Sequence, residues 1–156
     1  MPALNMEVIA VDPLGSDPLA LLRQAAIEAR QLYPELFNPD SPWPTNAPVA
    51  ARGVFLVAYA EGVPVAMGSH QPVDAHATEL RRMFTVIGYR RLGAGRFILK
   101  ELEAHARAQG FRKLKLETGY RQVAAMRLYE SMGFMRTRPF GTYVNDPTSV
   151  CYSKPL

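Results

Sequence analysis

Hydrophobic and polar residues alternate near the start of the chain and then change to a helical period. Alternation over residues 5–11 predicts a first strand. Apolar residues next recur every three to four positions, after a cap at Ser16 or Asp17 with Pro18 in the first turn. Pro34 ends this predicted helix.

The segment over residues 37–48 contains four prolines around Trp43 and predicts no regular element. Segments of this length without secondary structure are uncommon as plain connections. We therefore expect either an active-site lid in which Trp43 contacts the substrate or a surface loop that Trp43 anchors.

The middle of the chain predicts a β-hairpin and a further strand. Residues 54–60 and 63–69 are largely apolar runs on either side of Glu61-Gly62, a pair suited to a tight turn. Residues 78–86 predict the next strand, although Arg81-Arg82 interrupts its alternation.

The last third predicts two helices, a strand between them and a final hairpin. Helices are expected over residues 95–109 and 123–132, each followed by a glycine. Alternation over residues 113–117 indicates a strand. The hairpin is expected over residues 135–153, with its turn at Asn145-Asp146-Pro147.

Composition indicates an ordinary globular protein. Of the 156 residues, 48% are apolar and 21% charged, and we expect a single domain over residues 1–156. No apolar run approaches the roughly 18 residues of a membrane span, and residues 1–10 lack the pattern of a secretory signal. Cys151 is the single cysteine, which excludes an internal disulfide and fits a reducing compartment. We therefore expect a cytoplasmic protein.

Charge is unevenly distributed along the chain. Residues 81–138 hold 14 Lys/Arg and 4 Asp/Glu, whereas the rest of the chain is acidic. The basic part indicates an anionic partner, and the acidic part a cationic one such as a polyamine, an amino sugar or a lysine side chain. Solvated basic faces explain the same counts. A nucleic-acid-binding domain is a further alternative, although the basic residues are not interleaved with aromatic ones.

A loop with two glycines joins the strand over residues 78–86 to the following helix. Its sequence is Arg90-Arg91-Leu92-Gly93-Ala94-Gly95-Arg96. Unpaired N–H groups and the helix dipole favour an anion at such a position, and glycine lets a phosphate approach the backbone. Taken alone, two glycines favour a plain tight turn.

Three blocks in order resemble the GNAT family of N-acetyltransferases. The family's Arg/Gln-x-x-Gly-x-Gly/Ala loop matches Arg90, Gly93 and Gly95. Its Leu-Tyr-Glu-x-x-Gly-Phe block matches residues 128–134, and a strand over residues 79–86 precedes both. The order of predicted elements agrees over nearly the whole chain.

The resemblance implies a fold and a co-substrate. The expected fold is α/β (α+β), a mixed and mostly antiparallel sheet of six to seven strands flanked by helices. A central strand pair should splay at the strand after Val86 to admit the pantetheine arm of acetyl-CoA. The residues expected to contact acetyl-CoA are Phe84, Thr85, Val86, Arg90, Arg91, Leu92, Gly93, Ala94, Gly95, Arg96, Arg127 and Gln122, which stands where many members carry Asn.

The resemblance also implies direct transfer of an acetyl group to a primary amine of a small molecule or peptide. Tyr129 matches the family's general acid, which protonates the departing thiolate; its alternative role is a core tyrosine. Glu79 is the candidate base, and its alternative role is an ion pair with Arg81 or Arg82. A water chain is the other route for the amine proton.

The acceptor and further partners are less specified. Trp43 and Tyr143 are expected to contact the acceptor, with ordering of the final turn as the alternative for Tyr143. The three histidines lack metal-ligand spacing, so no metal is expected. We expect acetyl-CoA and an amine as partners, no nucleic acid, no membrane, and a homodimer as the commonest assembly. A CoA-binding regulatory module without activity is the last alternative.

Overall fold

Strands and helices follow one another in the predicted order. The computed structural model describes residues 5–156, and the first four residues of the predicted domain lie outside the described part. The helices are α1 (Ser16–Leu32), α2 (Ala94–Ala108) and α3 (Val123–Ser131). The strands are β1 (Met6–Ala10), β2 (Val54–Ala60), β3 (Val63–Pro72), β4 (Ala77–Thr85), β5 (Lys113–Gly119), β6 (Met135–Thr137) and β7 (Ser149–Pro155).

These seven strands form one sheet in the order β1-β2-β3-β4-β5-β7-β6. All neighbours are antiparallel except β4 and β5, which are parallel because α2 carries the chain back between them. The mixed, mostly antiparallel sheet flanked by helices is therefore confirmed. Across residues 5–156, no helix has the length and apolar character needed to cross a membrane.

The central pair of strands separates partway along its length. The pairing of β4 with β5 starts at Ala77 with Lys113 and ends at Leu80 with Leu116. Each strand then continues, β4 to Thr85 and β5 to Gly119, without the other as a partner. The predicted splay is thus present, and it begins within β4, upstream of Val86.

A β-bulge in β4 explains the interrupted alternation at Arg81-Arg82. Ser69 of β3 pairs with Arg81 whereas Met67 pairs with Phe84, so β4 carries an extra residue there. Arg82, within the bulge, has a left-handed φ of 61°. Gly68 is required opposite the bulge. A Cβ at Gly68 would lie 2.5 Å from Met83 Sδ.

Two apolar clusters lie on opposite faces of the sheet. On one face α2 and α3 pack onto side chains such as Leu80, Leu116 and Tyr152. On the other face α1 packs onto a smaller cluster that includes Met67 and, at its edge, Phe84. Because the bulge changes which face β4 side chains point to, Phe84 lies on the α1 face.

The final hairpin is looser than the sequence predicts. Strands β6 and β7 do pair antiparallel, but β6 has only three residues. The connection contains a 3₁₀ turn at Gly141–Tyr143, and Pro139 and Pro147 cannot donate ladder hydrogen bonds. The predicted hairpin over residues 135–153 is therefore present, with its turn near Asp146, but the connection between its two strands is long and irregular.

Candidate active site

The largest described cavity follows the gap between β4 and β5. Its volume is about 760 Å³. It touches Glu28 and Leu32 of α1 on one face of the sheet and the first turns of α2 and α3 on the other. The cavity therefore connects the two faces at the point where the central strands have separated.

The loop before α2 presents a row of unpaired backbone N–H groups to this cavity. Among the described residues, none accepts a hydrogen bond from the amides of residues 91–96, and the helix has no side-chain cap. Arg91 and Gly93 have φ of 62° and 90°, which curls the chain around these amides. The row of donors and the dipole of a 15-residue helix together favour an anion at this position.

The two glycines of the loop serve different purposes. Gly93 has a left-handed φ, which disfavours any residue with a Cβ, although the space around it is open. Gly95 has no such φ, but a Cβ there would lie 3.3 Å from Leu128 Cδ2 of α3. Gly95 thus lets the loop lie close to α3 and keeps the cavity wall thin.

The arginines of the loop do not all point into the anion site. Arg90 donates from Nε to the carbonyl of Thr85 at 2.9 Å, and its terminal nitrogen forms a 2.6 Å ion pair with Glu28. Arg96 bonds Ser131 Oγ at 3.0 Å. These contacts tie the loop to β4, α1 and α3, and they leave the backbone amides without a partner among the described residues.

Most of the residues expected to contact acetyl-CoA line this cavity. Val86 and Leu92 do not contribute to the lining, and Arg127 is exposed on α3 outside it. The roles of all twelve stay predictions. Those that do line the cavity are Phe84, Thr85, Arg90, Arg91, Gly93, Ala94, Gly95, Arg96 and Gln122.

Tyr129 is packed in the core and also lines the cavity, and its role as the acid stays a prediction. It is 6% exposed and packs against the rings of Phe134 and Tyr152, at centroid distances of 5.8 and 6.2 Å. It also lines the cavity, and no described residue hydrogen-bonds its hydroxyl. Because every fully buried side-chain polar atom in the described part has a partner, that hydroxyl must face the open cavity. Burial, and secondarily Glu117, raises the pKa of Tyr129.

Glu79 does not pair with Arg81 or Arg82. Its Oε2 accepts a 2.7 Å hydrogen bond from the Tyr143 hydroxyl, which joins β4 to the 3₁₀ turn at Gly141–Tyr143. Glu79 is 8% exposed, and burial, with this bond second, raises the pKa of Tyr143. Two residues that the sequence assigned separately, one as base and one as acceptor contact, therefore form a pair.

A second carboxylate, Glu117, was missed in the sequence. Glu117 is the first residue of β5 beyond its last pair with β4, and it accepts a hydrogen bond from Ser149. Burial, more than the nearby Asp146 and Glu79, raises its pKa. The alternating pattern over residues 113–117 predicts a solvated side chain here, and only the long-range pairing with β7 shows that Glu117 is partly buried.

The two carboxylates and Tyr129 approach the gap from opposite faces. Leu116 faces α2, so strand alternation turns Glu117 to the α1 face. Glu79 lies on that same face, since Leu80 also faces α2. Tyr129 thus lies on one side of the separated strands and the two carboxylates on the other, and neither carboxylate belongs to the lining of the cavity.

Trp43 lies away from both described cavities. Its ring is sandwiched between the guanidinium groups of Arg23 and Arg30, at 3.3 and 3.7 Å from the ring centroid. Arg30 also donates to the carbonyl of Ser41 at 2.8 Å. This arrangement fits the anchored loop better than a direct substrate contact, and the substrate role of Trp43 stays a prediction.

Comparison with known proteins places these features in a family. Residues 22–134 match the acetyltransferase (GNAT) family. The chain belongs to this family. The matched GNAT region includes the loop before α2, the splayed strands and Tyr129, so the resemblance carried by Arg90, Gly93 and Gly95 is confirmed.

Relatives of this GNAT chain extend over nearly its full length. It is 33% identical over 153 residues to an IAA acetyltransferase of Azospirillum brasilense, covering 97% of this chain and 99% of that protein. A crystal structure from Klebsiella pneumoniae, assigned to the acyl-CoA N-acyltransferases, has a TM-score of 0.80 and 28% identity over 97% of each chain.

A third comparison concerns the co-substrate. A GNAT acetyltransferase of Elizabethkingia anophelis, solved with acetyl-CoA bound, matches with a TM-score of 0.69 and 18% identity over 97% of this chain and 99% of that one. At this identity the likeness shows the fold. Family membership makes the present protein an acyltransferase enzyme.

Proposed function

We propose that this GNAT acetyltransferase moves the acetyl group of acetyl-CoA to a primary amine by direct attack, with Tyr129 as acid and Glu79 as base. The observation that supports this most is the cavity through the splayed strands. It has unpaired amides at one end and Tyr129 along its wall, and Glu79 and Glu117 lie on the α1 side of the same strand gap without lining the cavity. Acetyl-CoA supplies the activated acyl group.

The backbone amides of residues 91–96 are proposed to hold the pyrophosphate of the co-substrate. They combine the donors and the dipole that favour an anion at a helix N-terminus. The unpaired edge of β4 over residues 81–85 is proposed to receive the amide groups of pantetheine as a further strand would. Arg90 positions this edge by bonding the Thr85 carbonyl.

Tyr129 is proposed to donate its proton to the departing thiolate. A raised pKa keeps the phenol protonated at neutral pH, which a general acid requires. Its ring is fixed by Phe134 and Tyr152, so its hydroxyl points to one place in the cavity. A fixed donor loses little entropy when it reaches the transition state.

Glu79 is proposed to remove a proton from the acceptor's ammonium group, directly or through Tyr143, so that the neutral amine attacks the thioester. The 2.7 Å bond between the two makes a continuous path from the carboxylate to the surface of the final turn. Glu117 adds a second negative charge on the same face. Together the two carboxylates favour an ammonium ion at the mouth of the gap.

The remaining properties follow the same proposal. The whole of residues 1–156 would act as one N-acetyltransferase domain, in the cytoplasm, which the unpaired and buried Cys151 supports. A polyanionic co-substrate would account for the basic residues of the second half of the chain, so no nucleic acid is needed to explain them. A homodimer stays a prediction for light scattering. The nucleic-acid and regulatory alternatives are not favoured, because residues 22–134 match an enzyme family.

The test is release of free thiol from acetyl-CoA across a panel of primary amines, combined with the intact mass of the protein. Direct attack predicts thiol release that depends on both substrates in a ternary complex, with no acetylated protein at any time. Parallel-line kinetics with a mass increase of one acetyl group would replace direct attack by an acyl-enzyme. Thiol release that no amine accelerates would contradict the proposed transfer.

A further inference from the structure

A second cavity lies on the α1 face of the sheet, against β3 and β4. Its volume is about 250 Å³. Residues 45–50, the end of the proline-rich loop and the turn after it, form one wall, and β3 and β4 form the floor with Ser69 and Arg81. The loop therefore closes a space that abuts the strand carrying Glu79.

From this cavity we infer that the acceptor amine carries a carboxylate, as a small amino acid does, and that Arg81 binds this carboxylate. The inference rests on the proposed acetyl transfer and specifies the acceptor of that reaction. It assigns a substrate class to a cavity separate from the one proposed to bind acetyl-CoA.

The charge of the cavity lining supports an anion. Arg81 and Arg82 both line it, together with the polar side chains of Thr45 and Ser69, and no Asp or Glu of the described chain belongs to the lining. A polyamine would meet two guanidinium groups in this space. The charge of the cavity thus differs from the acidic average of the first half of the chain, which predicted a cationic acceptor.

The two arginines have different roles. Arg82 donates to Asn46 Oδ1 at 2.9 Å and to the Thr45 carbonyl at 3.2 Å, and Asn46 in turn donates to the Pro13 carbonyl at 2.9 Å. Arg82 therefore fixes the loop. Within residues 5–156 the Arg81 guanidinium has no ion-pair or hydrogen-bond partner, so its planar donor fork is available to a carboxylate.

The spacing suits one small zwitterion. Arg81 and Glu79 are two residues apart on β4 and point to the same face, which separates their Cα atoms by roughly 6.6 Å. Gln71, which lines the cavity, is the β3 partner of Glu79. An acceptor that places its carboxylate on Arg81 therefore has its amino group beside the Glu79–Tyr143 pair, where the proposed base receives the proton.

The experiment compares amino acids with their amides, which keep the amine and lose the negative charge. Thiol release with acetyl-CoA should show kcat/KM at least tenfold higher for the acid of the best pair. Arg81→Met should raise KM for the acid at least tenfold and abolish this preference, with KM for acetyl-CoA unchanged. Arg112→Met, a change of an exposed arginine outside both cavities, is the matched control and should behave as the wild type.

A second measurement covers the case in which Arg81→Met alters the fold. In the presence of CoA, N-acetyl amino acids should raise the melting temperature of the wild type further than N-acetyl amino acid amides do. Equal rates and equal stabilisation for acids and amides, or a preference for amides, would overturn the carboxylate assignment while acetyl-CoA still binds. Failure of acetyl-CoA itself to bind would instead overturn the proposed function.

Discussion

The hydroxyl of Tyr143 donates a 2.7 Å hydrogen bond to Oε2 of Glu79, although the two residues are 64 positions apart in the chain. The bond attaches the irregular connection between β6 and β7 to the central strand of the sheet. It also orients the carboxylate that we propose as the base. Loss of either partner should therefore affect the amine step more than binding of acetyl-CoA.

Glu79→Gln tests the base directly. The amide keeps the size of the side chain but cannot accept a proton, so kcat should fall by roughly 10²- to 10⁴-fold and the decline of rate at acidic pH should disappear. The pH–rate profile of thiol release measures both. Glu117→Gln is the companion variant, and a profile that changes only there would transfer the role of base to Glu117.

Tyr129→Phe tests the acid. Removal of the hydroxyl leaves the packing against Phe134 and Tyr152 in place, so stability and the Kd for acetyl-CoA should change little. Turnover should fall by roughly 10²-fold or more, because the thiolate then leaves without a proton donor. Calorimetry gives the affinity and steady-state kinetics the turnover. Unchanged turnover across several pH values would remove Tyr129 from the mechanism.

Single alanine substitutions test the loop before α2. Gly93→Ala should lower the free energy of unfolding by about 1–2 kcal/mol, because alanine is strained at φ of 90°. Gly95→Ala should weaken acetyl-CoA binding by pushing Leu128 into the cavity. Gly88→Ala is the matched control, since a Cβ there meets nothing within 4 Å. Denaturant unfolding measures the loss of stability, and calorimetry measures the loss of affinity for acetyl-CoA.

Trp43→Ala tests whether the proline-rich loop shapes the acceptor cavity. Loss of the ring removes two cation–π contacts of about 0.5–1 kcal/mol each and loosens residues 45–50. KM for the amine should rise roughly five- to tenfold, and KM for acetyl-CoA should stay constant. Trp43→Phe should restore most of the loss. Equal changes in both KM values would show that the loop acts on the whole fold.

His70 should make stability depend on pH. It is 2% exposed, its Nδ1 lies 2.7 Å from Thr78 Oγ1 and its Nε2 lies 2.9 Å from His105 Nδ1. The 2.9 Å contact is a hydrogen bond between the two rings, in which one of the facing nitrogens donates and the other accepts. Burial first, and His105 second, lower the pKa of His70 from 6.5 to about 4.

Because the pKa of His70 is lower in the folded than in the unfolded chain, the protein should become less stable as pH falls. Between pH 6.5 and about 4 the unfolded chain binds the proton that the folded chain excludes, so stability is complete above pH 6.5 and falls as pH decreases. From this single group, the free energy of unfolding changes by at most about 1.4 kcal/mol per pH unit. Denaturant unfolding at pH 7 and 5 should show a smaller loss in His70→Gln than in the wild type. His76→Gln, at an exposed position, should match the wild type.

Local patterns predicted most of the elements, because their signals lie within a few residues. Gly93 marked the turn into α2, whereas the bulge at Arg81-Arg82 was seen in the sequence only as an interruption of the strand pattern. Glu117 could not be found in this way. Its partial burial depends on the pairing of β5 with β7, more than 30 residues later in the chain, and on the end of its pairing with β4.

Side-chain partners were the least predictable part of the site. Arg90 matches the family's loop, yet its guanidinium is held by Thr85 and Glu28, and the latter lies 62 residues earlier. For Glu79 the alternative to the base was an ion pair with a neighbouring arginine, and its hydrogen-bond partner is instead Tyr143. In both cases the partner is set by how helices and turns pack onto the sheet, which short-range spacing does not encode.

The central claim is that the loop before α2 binds acetyl-CoA, and thermal unfolding with increasing acetyl-CoA tests it most directly. We predict a saturable rise in melting temperature, equivalent to about 2.7 kcal/mol at one hundred times the Kd. The rise should be reduced in Gly95→Ala and retained in Gly88→Ala. An unchanged melting temperature at millimolar acetyl-CoA would contradict both the binding of acetyl-CoA by the loop and the acetyl transfer that depends on it.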